Sequence, residues 1–460
     1  MDTRVVTRPT RTAAVVTLMA IAFDVLVFQH PVGIGLGPAG FLFAAVVWFG
    51  EWTLSIRPTS TARILALVLA AIAWIPTFRT APPLTTFTVI AILGLGIVCI
   101  RVLAHDDLRT WTVGRYARAL GTSVLAAVVE TFTFLTEDIS FGRAGGRVGR
   151  VLVGLLVVLP VLIVFIVLFA GADAVFSRLL DDIVSIDLGR FLAHTLTVAA
   201  LTWAGIGMLR HALRVETSAP HPDPCPRLVV EATAGLVAVA ALFAVFVAIQ
   251  FAYLFGGLDT NTGLTYAEYA RRGFFELVTV GALIVALSLA VDRLVQGIER
   301  SRVVDALLTV LVAETLVVLA SAVVRLRSYV AAYGLTDARF YAAVFLIWAG
   351  VVLVLVAAML LRGQRSRFAL AAFVTGIVLL IGTAAVNPDG VMARTNVTKY
   401  PVDVGYLSSL SADAVPSLIG HLDPWILCEM VEESGDWRSF TLAQARGRQA
   451  LRDAGVPCES

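Results

Sequence analysis

Two acidic residues stand inside long apolar segments and are the first candidates for chemistry. Asp24 lies in the segment Thr12–Phe28, and Glu314 lies at the middle of Val303–Val324. A charged side chain inside a lipid-spanning helix is costly, and such residues typically mark ion pathways, proton relays or ligand sites. The sequence therefore indicates Asp24 and Glu314 as intramembrane site candidates, with a structural polar contact between helices as the alternative.

Other polar groups in the apolar segments add hydrogen-bonding capacity to such a site. Gln250 and Tyr253 lie near the end of one segment, and His194 lies in another. Because a lipid-facing carboxylate costs at least about 2.5 kcal/mol, we expect Glu314 to face the protein interior. Asp24, Gln250 or a threonine-bearing helix is the expected polar partner of Glu314.

A pair of acidic residues lies at the edge of the apolar pattern. Asp181 and Asp182 belong to the segment Gly171–Ile183, whose apolar residues recur at helical spacing. We interpret this segment as an amphipathic helix on the membrane surface. Its acidic face is either solvated or able to capture a cation.

A pair of basic residues lies in the segment Gly263–Leu277. Glu268 and Glu276 each stand four residues from Arg272, so these side chains share one helix face and can neutralise each other. A charge-paired helix at the lipid boundary is one interpretation. The alternative is that Arg271 and Arg272 bind an anionic head group or solute.

The composition indicates that the elements holding these candidates lie in a bilayer. The chain is 58% hydrophobic and 15% charged, whereas soluble domains carry about 25% charged residues. This excess of apolar residues is too large for one buried core, so the surface itself must face lipid. The net charge of +2 argues against nucleic acid as the main partner. We expect no cofactor and no metal.

Segments of mostly apolar residues predict an all-α polytopic transmembrane helix bundle over residues 1–386, with about eleven spans of roughly 20 residues each. The predicted spans are Thr12–Phe28, Leu36–Gly50, Ile64–Phe78, Thr85–Ile100, Val151–Phe169, Phe191–Leu209, Ala232–Phe255, Leu277–Val291, Val303–Val324, Tyr341–Leu361 and Phe368–Val386. A small helical extracytoplasmic tail, residues 387–460, follows the last span.

Arginine predicts the orientation, because short cytoplasmic loops are enriched in basic residues. Most arginines lie at the N-terminus and in every second loop after it. The opposite loops hold only Arg79, Arg178, Arg190, Arg271, Arg272, Arg325, Arg327 and Arg339. We therefore expect an N-terminus inside and a C-terminus outside, in a cytoplasmic membrane. Lys399 is the only lysine, which favours a bacterial source with a GC-rich genome.

One segment interrupts the regular pattern of spans. Ala119–Leu135 is apolar, but clusters of arginine precede and follow it. If it crossed the bilayer, one of these clusters would lie on the wrong side. We interpret residues 105–150 as a cytoplasmic interfacial segment, with a twelfth span as the alternative.

The tail carries local signals for short helices. Asn387–Gly390 (NPDG) is typical of a turn, and Ser411, Asp423 and Thr441 are start signals for helices. The residues that could form a small core in the tail are Trp425, Leu427, Trp437, Phe440, Leu442 and Leu451.

The chain has four cysteines, and two of them lie in the tail. None of the four forms a C-x-x-C pair, so a zinc or redox motif is unsupported. The topology places Cys428 and Cys458 in an oxidising compartment, whereas Cys225 lies in a cytoplasmic loop and Cys99 in a span. We predict a Cys428–Cys458 disulfide that stabilises the tail by on the order of 3 kcal/mol. Two unrelated thiols are the alternative.

Several stretches together resemble an uncharacterised bacterial membrane family, a "domain of unknown function" family. They are LFAGADAVFSRLL, YLFGG, GLTYAEYARRGFFEL, NPDGVMARTN and DVGYLSSLSADAVPSL. The resemblance implies a multi-pass bacterial membrane protein, and it implies no established activity, catalytic residue or ligand. Some relatives carry names that link them to sensor histidine kinases, but this chain has no kinase motif of its own.

Three functions fit these observations. A non-catalytic sensor or accessory membrane component is favoured by the short loops and the small external tail. An ion- or proton-coupled small-solute transporter would use Asp24 and Glu314, although no repeat between the two halves is visible. A lipid-linked membrane enzyme would need acidic residues in the first external loop, and residues 29–35 have none. The expected partners are the lipid bilayer and another membrane protein such as a sensor kinase.

Overall fold

The computed structural model describes residues 9–103, 186–213, 226–255, 302–362, 368–432 and 435–458, together with isolated residues at 108–130 and 283–287. All regular secondary structure in this part of the chain is helical, and no strand occurs in it. The predicted all-α fold is confirmed.

Long helices form the bundle. They are α1 (Pro9–Leu26), α2 (Leu36–Trp48), α4 (Ser60–Ile72), α6 (Pro82–Arg101), α7 (Ile186–Leu213), α8 (Pro226–Phe255), α9 (Arg302–Tyr333), α10 (Asp337–Arg362) and α11 (Phe368–Val386). Two short helices, α3 (Gly50–Thr53) and α5 (Ile75–Phe78), follow α2 and α4.

Six stretches of the described helices are long and apolar enough to cross a membrane. They are Ser60–Phe78, Pro82–Arg101, Ala193–Leu213, Val303–Tyr333, Asp337–Arg362 and Phe368–Val386. Leu36–Trp48 and Thr233–Ala248 are apolar but shorter. The predicted span 151–169 lies outside the described residues, and 277–291 is described only at three positions. The chain is thus a helical membrane protein, and the count of eleven spans stays a prediction.

Small residues allow the closest helix packing, which joins α2 to α4. Gly37 lies against the indole ring of Trp74, and a Cβ at this position would come within 2.6 Å of the ring. Gly40 faces Ala70 and Ala73 in the same way. In lipid, helices associate through such close contacts because the solvent is as apolar as their side chains.

Among the described residues, the bundle has two large buried cores and a small cluster at Val318, Ala322 and Leu346. One lies among α2, α4, α6 and α7, and the other lies among α8, α9 and α10. Helix α11 packs against both α10 and α6 and so connects the two groups. Helix α1 runs antiparallel to α7, because Asp24 contacts His194 while Val16 faces Gly205.

The tail lies against one end of the bundle, which we call the tail face. The loops at 27–35, 79–81 and 334–336 all contact the tail there, and α11 ends there as well. The loop at 54–59, which connects α3 to α4, lies at the opposite end, which we call the far face.

The tail is a group of short helices. They are α12 (Pro388–Lys399), α13 (Val404–Leu407), α14 (Val415–Leu418), α15 (Pro424–Glu429) and α16 (Leu442–Asp453), with 3-10 turns at Ala412–Ala414 and Trp437–Ser439. Thr441 caps the start of α16 as predicted, because the Thr441 hydroxyl accepts a hydrogen bond from the Gln444 amide at 3.3 Å. The chain turns at Asn387, between α11 and α12, and the turn is confined to that residue because Pro388–Gly390 form the first turn of α12.

Leucines build the core of the tail. Leu427 and Leu451 are buried as predicted, together with Leu418. The prediction that Trp425 and Trp437 belong to this core is wrong, because their exposed fractions are 67% and 62%. At Trp437 the reason is local. The backbone carbonyls of Arg438 and Phe440 bond the loop between α1 and α2, which leaves the indole outside the tail core.

Candidate functional site

Asn387 redirects the chain from the last helix of the bundle into the tail. Its backbone has a φ of 59°, which is in the left-handed region. The Asn387 amide oxygen accepts a hydrogen bond from the Gly390 amide at 3.2 Å, and its nitrogen donates to the Asp413 carbonyl at 3.3 Å. Asparagine tolerates this conformation because its side chain bonds locally. This turn brings α12 and the 412–414 turn against the bundle.

Asp413 forms a buried ion pair with the end of α5. Its carboxylate accepts from Arg79 Nη1 at 3.0 Å and from the Thr80 amide at 2.7 Å. Arg79 Nε also donates to the carbonyl of Ala384 at 2.8 Å. Only 2% of the Asp413 side chain and 17% of the Arg79 side chain are exposed. One arginine thus joins the tail, the 79–81 loop and α11.

Asp389 lies beside this ion pair and carries an unsatisfied oxygen. The residue is 1% exposed, and its Oδ2 accepts from the Ser411 amide at 2.8 Å. Its Oδ1 has no hydrogen-bond partner among the described residues. Burial raises the pKa of the Asp389 carboxyl despite the hydrogen bond from Ser411, and the charges of Asp337 and Asp413 raise it further. Asp389 is therefore a buried carboxyl able to hold a proton.

A third set of contacts ties the tail to the loop between α9 and α10. The Asn396 side chain accepts from the Leu335 amide at 2.9 Å and donates to the Leu335 carbonyl at 2.7 Å. The Tyr406 hydroxyl accepts from the Asp337 amide at 3.1 Å. We call these contacts, together with those of Asp389 and Asp413, the buried junction.

A second connection uses backbone hydrogen bonds, and we call it the latch. The Ile34 amide donates to the Phe440 carbonyl at 3.0 Å, and the Gly35 amide donates to the Arg438 carbonyl at 3.1 Å. Gly33 lies so close that a Cβ there would come within 2.6 Å of the Ser439 backbone. The latch therefore joins residues 436–440 to the loop between α1 and α2.

Charged side chains surround the latch. Asp436 lies 3.1 Å from His30 and 2.7 Å from Arg438, while Arg438 Nη1 donates to the Val25 carbonyl at 2.8 Å. Hydrogen bonds from Arg438 lower the pKa of Asp436 to about 2. The Arg438 guanidinium is thus neutralised where it meets the end of α1.

Inside the bundle, Asp24 pairs with His194. The Asp24 Oδ2 lies 2.8 Å from His194 Nδ1, and the edge of the Phe28 ring packs against the imidazole. The Asp24 side chain is 9% exposed, and its Oδ1 has no partner among the described residues. This pair joins α1 to α7 inside the bundle.

Among the described residues, the structure pairs Asp24 with His194 and not with Glu314. Glu314 is half-buried on α9, and its Oε2 is buried without a partner among the described residues. Gln250 and Tyr253 lie in α8, but their side chains fall outside the described part of the chain. Asp181, Asp182, Arg271 and Arg272 fall outside it entirely.

The predicted cysteine partners lie together in the tail. Cys428 and Cys458 form a disulfide with a Cα–Cα separation of 5.5 Å, within the usual range of about 4.4–6.8 Å. The bond ties the C-terminus to α15. Among the described residues, no group of three or more His, Cys, Asp or Glu side chains is arranged to hold a metal ion.

Sequence reasoning missed the buried junction. Arg79 was counted only as a loop arginine, and Asp413 and Asp389 were not singled out at all. The available signal was that both aspartates lie in the stretches NPDGVMARTN and DVGYLSSLSADAVPSL. A charged residue next to small apolar ones in a short tail indicates a buried charge, which needs a partner.

Comparison with known families gives one match, over residues 64–421, to the family described as a domain of unknown function, DUF4153. The chain belongs to this family. Arg79, Asp389 and Asp413 lie within the matched residues, whereas Asp24 and the latch lie outside them. No curated protein matches the chain, and no solved structure matches it either. The family name assigns no activity, so function must be argued from the sites.

Proposed function

We propose that this membrane protein is a non-catalytic sensor or accessory component of the cytoplasmic membrane, whose tail receives a signal or a partner outside the cell. The buried junction is the observation that carries the proposal. Through it, the tail contacts the 79–81 loop and the 334–336 loop, and Arg79 extends the contact to the end of α11. A ligand that moves the tail would therefore move helices of both groups in the bundle.

Because the Arg79–Asp413 pair is largely buried, it holds the tail firmly against the bundle. A buried ion pair that loses one partner leaves an uncompensated charge, which costs about 3–5 kcal/mol. The tail therefore cannot separate from Arg79 without a large loss of stability. The division into a bundle of residues 1–386 and a tail of residues 387–460 is part of this proposal, with the junction as the transmitting surface between them.

The arginines support an outside position for the tail. On the tail face, Arg79 is paired with Asp413, and Arg339 donates to the carbonyls of Tyr333 and Gly334. Arg57, at the far face, has a largely exposed side chain. Although Arg57 pairs with Glu51, its side chain is far more exposed than that of Arg79, and exposed basic charge at the far face is what we expect of the cytoplasmic side. The output would pass to another membrane protein, such as a sensor kinase.

The test compares variants in a strain from which the gene has been deleted. Three acid-to-amide variants are matched: Asp413→Asn in the buried junction, Asp24→Asn inside the bundle, and Glu51→Gln in an exposed pair on the far face. Membrane levels are equalised, and the readout is the set of transcripts that change on deletion. The proposal expects Asp413→Asn to resemble the deletion, and the other two variants to restore the wild-type profile.

The opposite pattern contradicts the sensor function. If Asp24→Asn resembles the deletion while Asp413→Asn restores the wild-type profile at equal membrane levels, the tail does not carry the signal. Asn396→Ala serves as a second junction variant, because it removes two hydrogen bonds to Leu335 without changing a charge.

A proton-coupled transporter is the second candidate, and the Asp24–His194 pair favours it. The pair joins two helices of the bundle, and Asp24 Oδ1 has no partner among the described residues. The test is proton uptake into liposomes under an imposed potential. Wild-type protein and Glu51→Gln should move protons, whereas Asp24→Asn and His194→Gln should not. Uptake by wild type no greater than that of empty liposomes removes this candidate.

A further inference from the structure

Trp437 is an exposed aromatic residue in the middle of the latch. The carbonyls of Arg438 and Phe440 accept hydrogen bonds from the loop between α1 and α2. The latch therefore fixes the backbone directly after Trp437, while the indole itself is 62% exposed. An exposed tryptophan fixed in this way needs a partner other than the tail core.

The position of Trp437 follows from the apolar surface of α1. Leu18, Ile21 and Val25 are all exposed, and their spacing of three and four residues places them on one face of the helix. The carbonyl of Val25, at the end of this stripe, accepts the hydrogen bond from Arg438. Trp437 therefore stands at the tail-face end of a stripe that has the character of a lipid-facing surface.

A matching group of exposed aromatic residues lies at the far face. Trp48, Phe49 and Trp52 are exposed at the far end of α2 and in α3. Helix α2 has 13 residues, which is about 20 Å of helix. Its other end begins directly after Gly35, which bonds the latch. Aromatic groups thus lie beyond both ends of α2, in α3 and in the latch, as aromatic belts lie at both edges of a bilayer.

The charges around Trp437 suit a bilayer interface. Arg438 is paired with Asp436, so the residue beside the indole brings no uncompensated charge to the boundary. Tryptophan prefers the interface because its ring is apolar while its N–H can reach water or head groups.

From these contacts we propose that Trp437 inserts into the interfacial layer of the bilayer, so that the lipid surface is the partner of this part of the tail. The latch orients the indole, and the indole in turn holds the tail down on the membrane beside α1. This inference requires only that the protein lies in a membrane, and it is independent of whether the tail senses or Asp24 transports.

Quenching of tryptophan fluorescence tests the proposal. The full-length protein is placed in phosphatidylcholine liposomes, with or without bromine on the acyl chains close to the head group. Trp437→Phe keeps every hydrogen bond of the latch, because those bonds use the backbone and Arg438. Subtracting the emission of the variant from that of wild type gives the emission of Trp437, which we call the difference emission. It should lose most of its intensity in brominated liposomes and resist quenching by iodide.

Trp52→Phe is the matched positive control, since Trp52 is an exposed aromatic residue of the far face. The proposal is overturned if the Trp437 difference emission is equal in plain and brominated liposomes and is quenched by iodide, while the Trp52 difference emission responds to bromine. If Trp437→Phe leaves too small a difference emission to measure, a nitroxide label is attached to the Trp437→Cys variant. The accessibility of the label to oxygen and to a water-soluble nickel complex then gives the depth of this position in the bilayer. Greater accessibility to the nickel complex than to oxygen would contradict insertion.

Discussion

The buried junction and the latch both attach the tail to the bundle, but they do so by different physical means. In the junction, Asp413 is buried and Arg79 is largely buried, and each makes two or more hydrogen bonds. In the latch, the charged group is Asp436, whose side chain is 23% exposed, and the connecting bonds come from the backbone. A buried charge makes the junction depend on its charged side chains, whereas the backbone bonds of the latch depend on the small size of Gly33 and not on a buried charge.

The difference also separates the two regions by their response to pH. Burial raises the pKa of Asp389 in the junction, whereas hydrogen bonds from Arg438 lower the pKa of Asp436 in the latch. Folding of the junction should therefore favour the protonated form of Asp389. Folding of the latch should favour the ionised form of Asp436. The two attachments can be weakened independently by substitution and by pH.

The largest effect is expected from Asp413→Asn. This change leaves the buried Arg79 guanidinium without its counter-charge, which should cost about 3–5 kcal/mol of tail stability. Hydrogen exchange of the amides in α12 and α16 measures it. Glu51→Gln, in the largely exposed Arg57–Glu51 pair, is the control and should cost under about 1 kcal/mol. Equal protection of the tail in both variants would contradict a buried ion pair.

An intermediate effect is expected from Asp389→Asn, seen in the pH profile. Because the folded pKa of Asp389 is raised, the folded tail binds its proton more tightly than the unfolded chain. Tail stability should therefore fall as pH rises from the ordinary value of 3.8 through the raised pKa. Asparagine keeps an acceptor for the Ser411 amide and removes this slope. Thermal unfolding across pH checks it, and an unchanged slope in the variant would refute the assignment.

The smallest effect is expected from Asp436→Asn, and it has the opposite sign with pH. The folded pKa of Asp436 is lowered to about 2, so its contribution is present above 3.8 and is lost as pH falls from 3.8 towards 2. The variant should lack this acid-side change, be slightly less stable than wild type near neutrality, and approach wild type as pH falls towards 2. Protease cleavage of the latch at several pH values measures it. A defect at neutral pH as large as that of Asp413→Asn would erase the distinction between the two regions.

The sequence predicted what depends on local pattern. Apolar segments predicted the helices, and the cap at Thr441 predicted the start of α16. Asp24 was singled out because a carboxylate is unusual among apolar residues, and the structure places it in a buried pair with His194. That partner was noted only as a polar group, since nothing in the sequence pairs residues 170 positions apart.

The junction could not be predicted in this way. Arg79 and Asp413 are 334 residues apart, and neither carries a local motif that names its partner. Trp437 shows the converse error, because an aromatic residue in a small tail was assigned to a core. Composition gives the apolar character of a side chain, whereas the direction of that side chain depends on the contacts of its backbone.

Thiol labelling of intact cells tests two central properties of the tail at once. These are its proposed position outside the cell and its closure by the Cys428–Cys458 disulfide. Cys99 is buried and Cys225 is predicted to lie in a cytoplasmic loop, so neither should react with a membrane-impermeant maleimide. We predict that Cys428 and Cys458 are labelled in intact cells only after treatment with an impermeant reductant, with a Cys428→Ser/Cys458→Ser variant giving the background. Labelling that appears only after the cells are lysed would place the tail inside, and full labelling without reductant would exclude the disulfide.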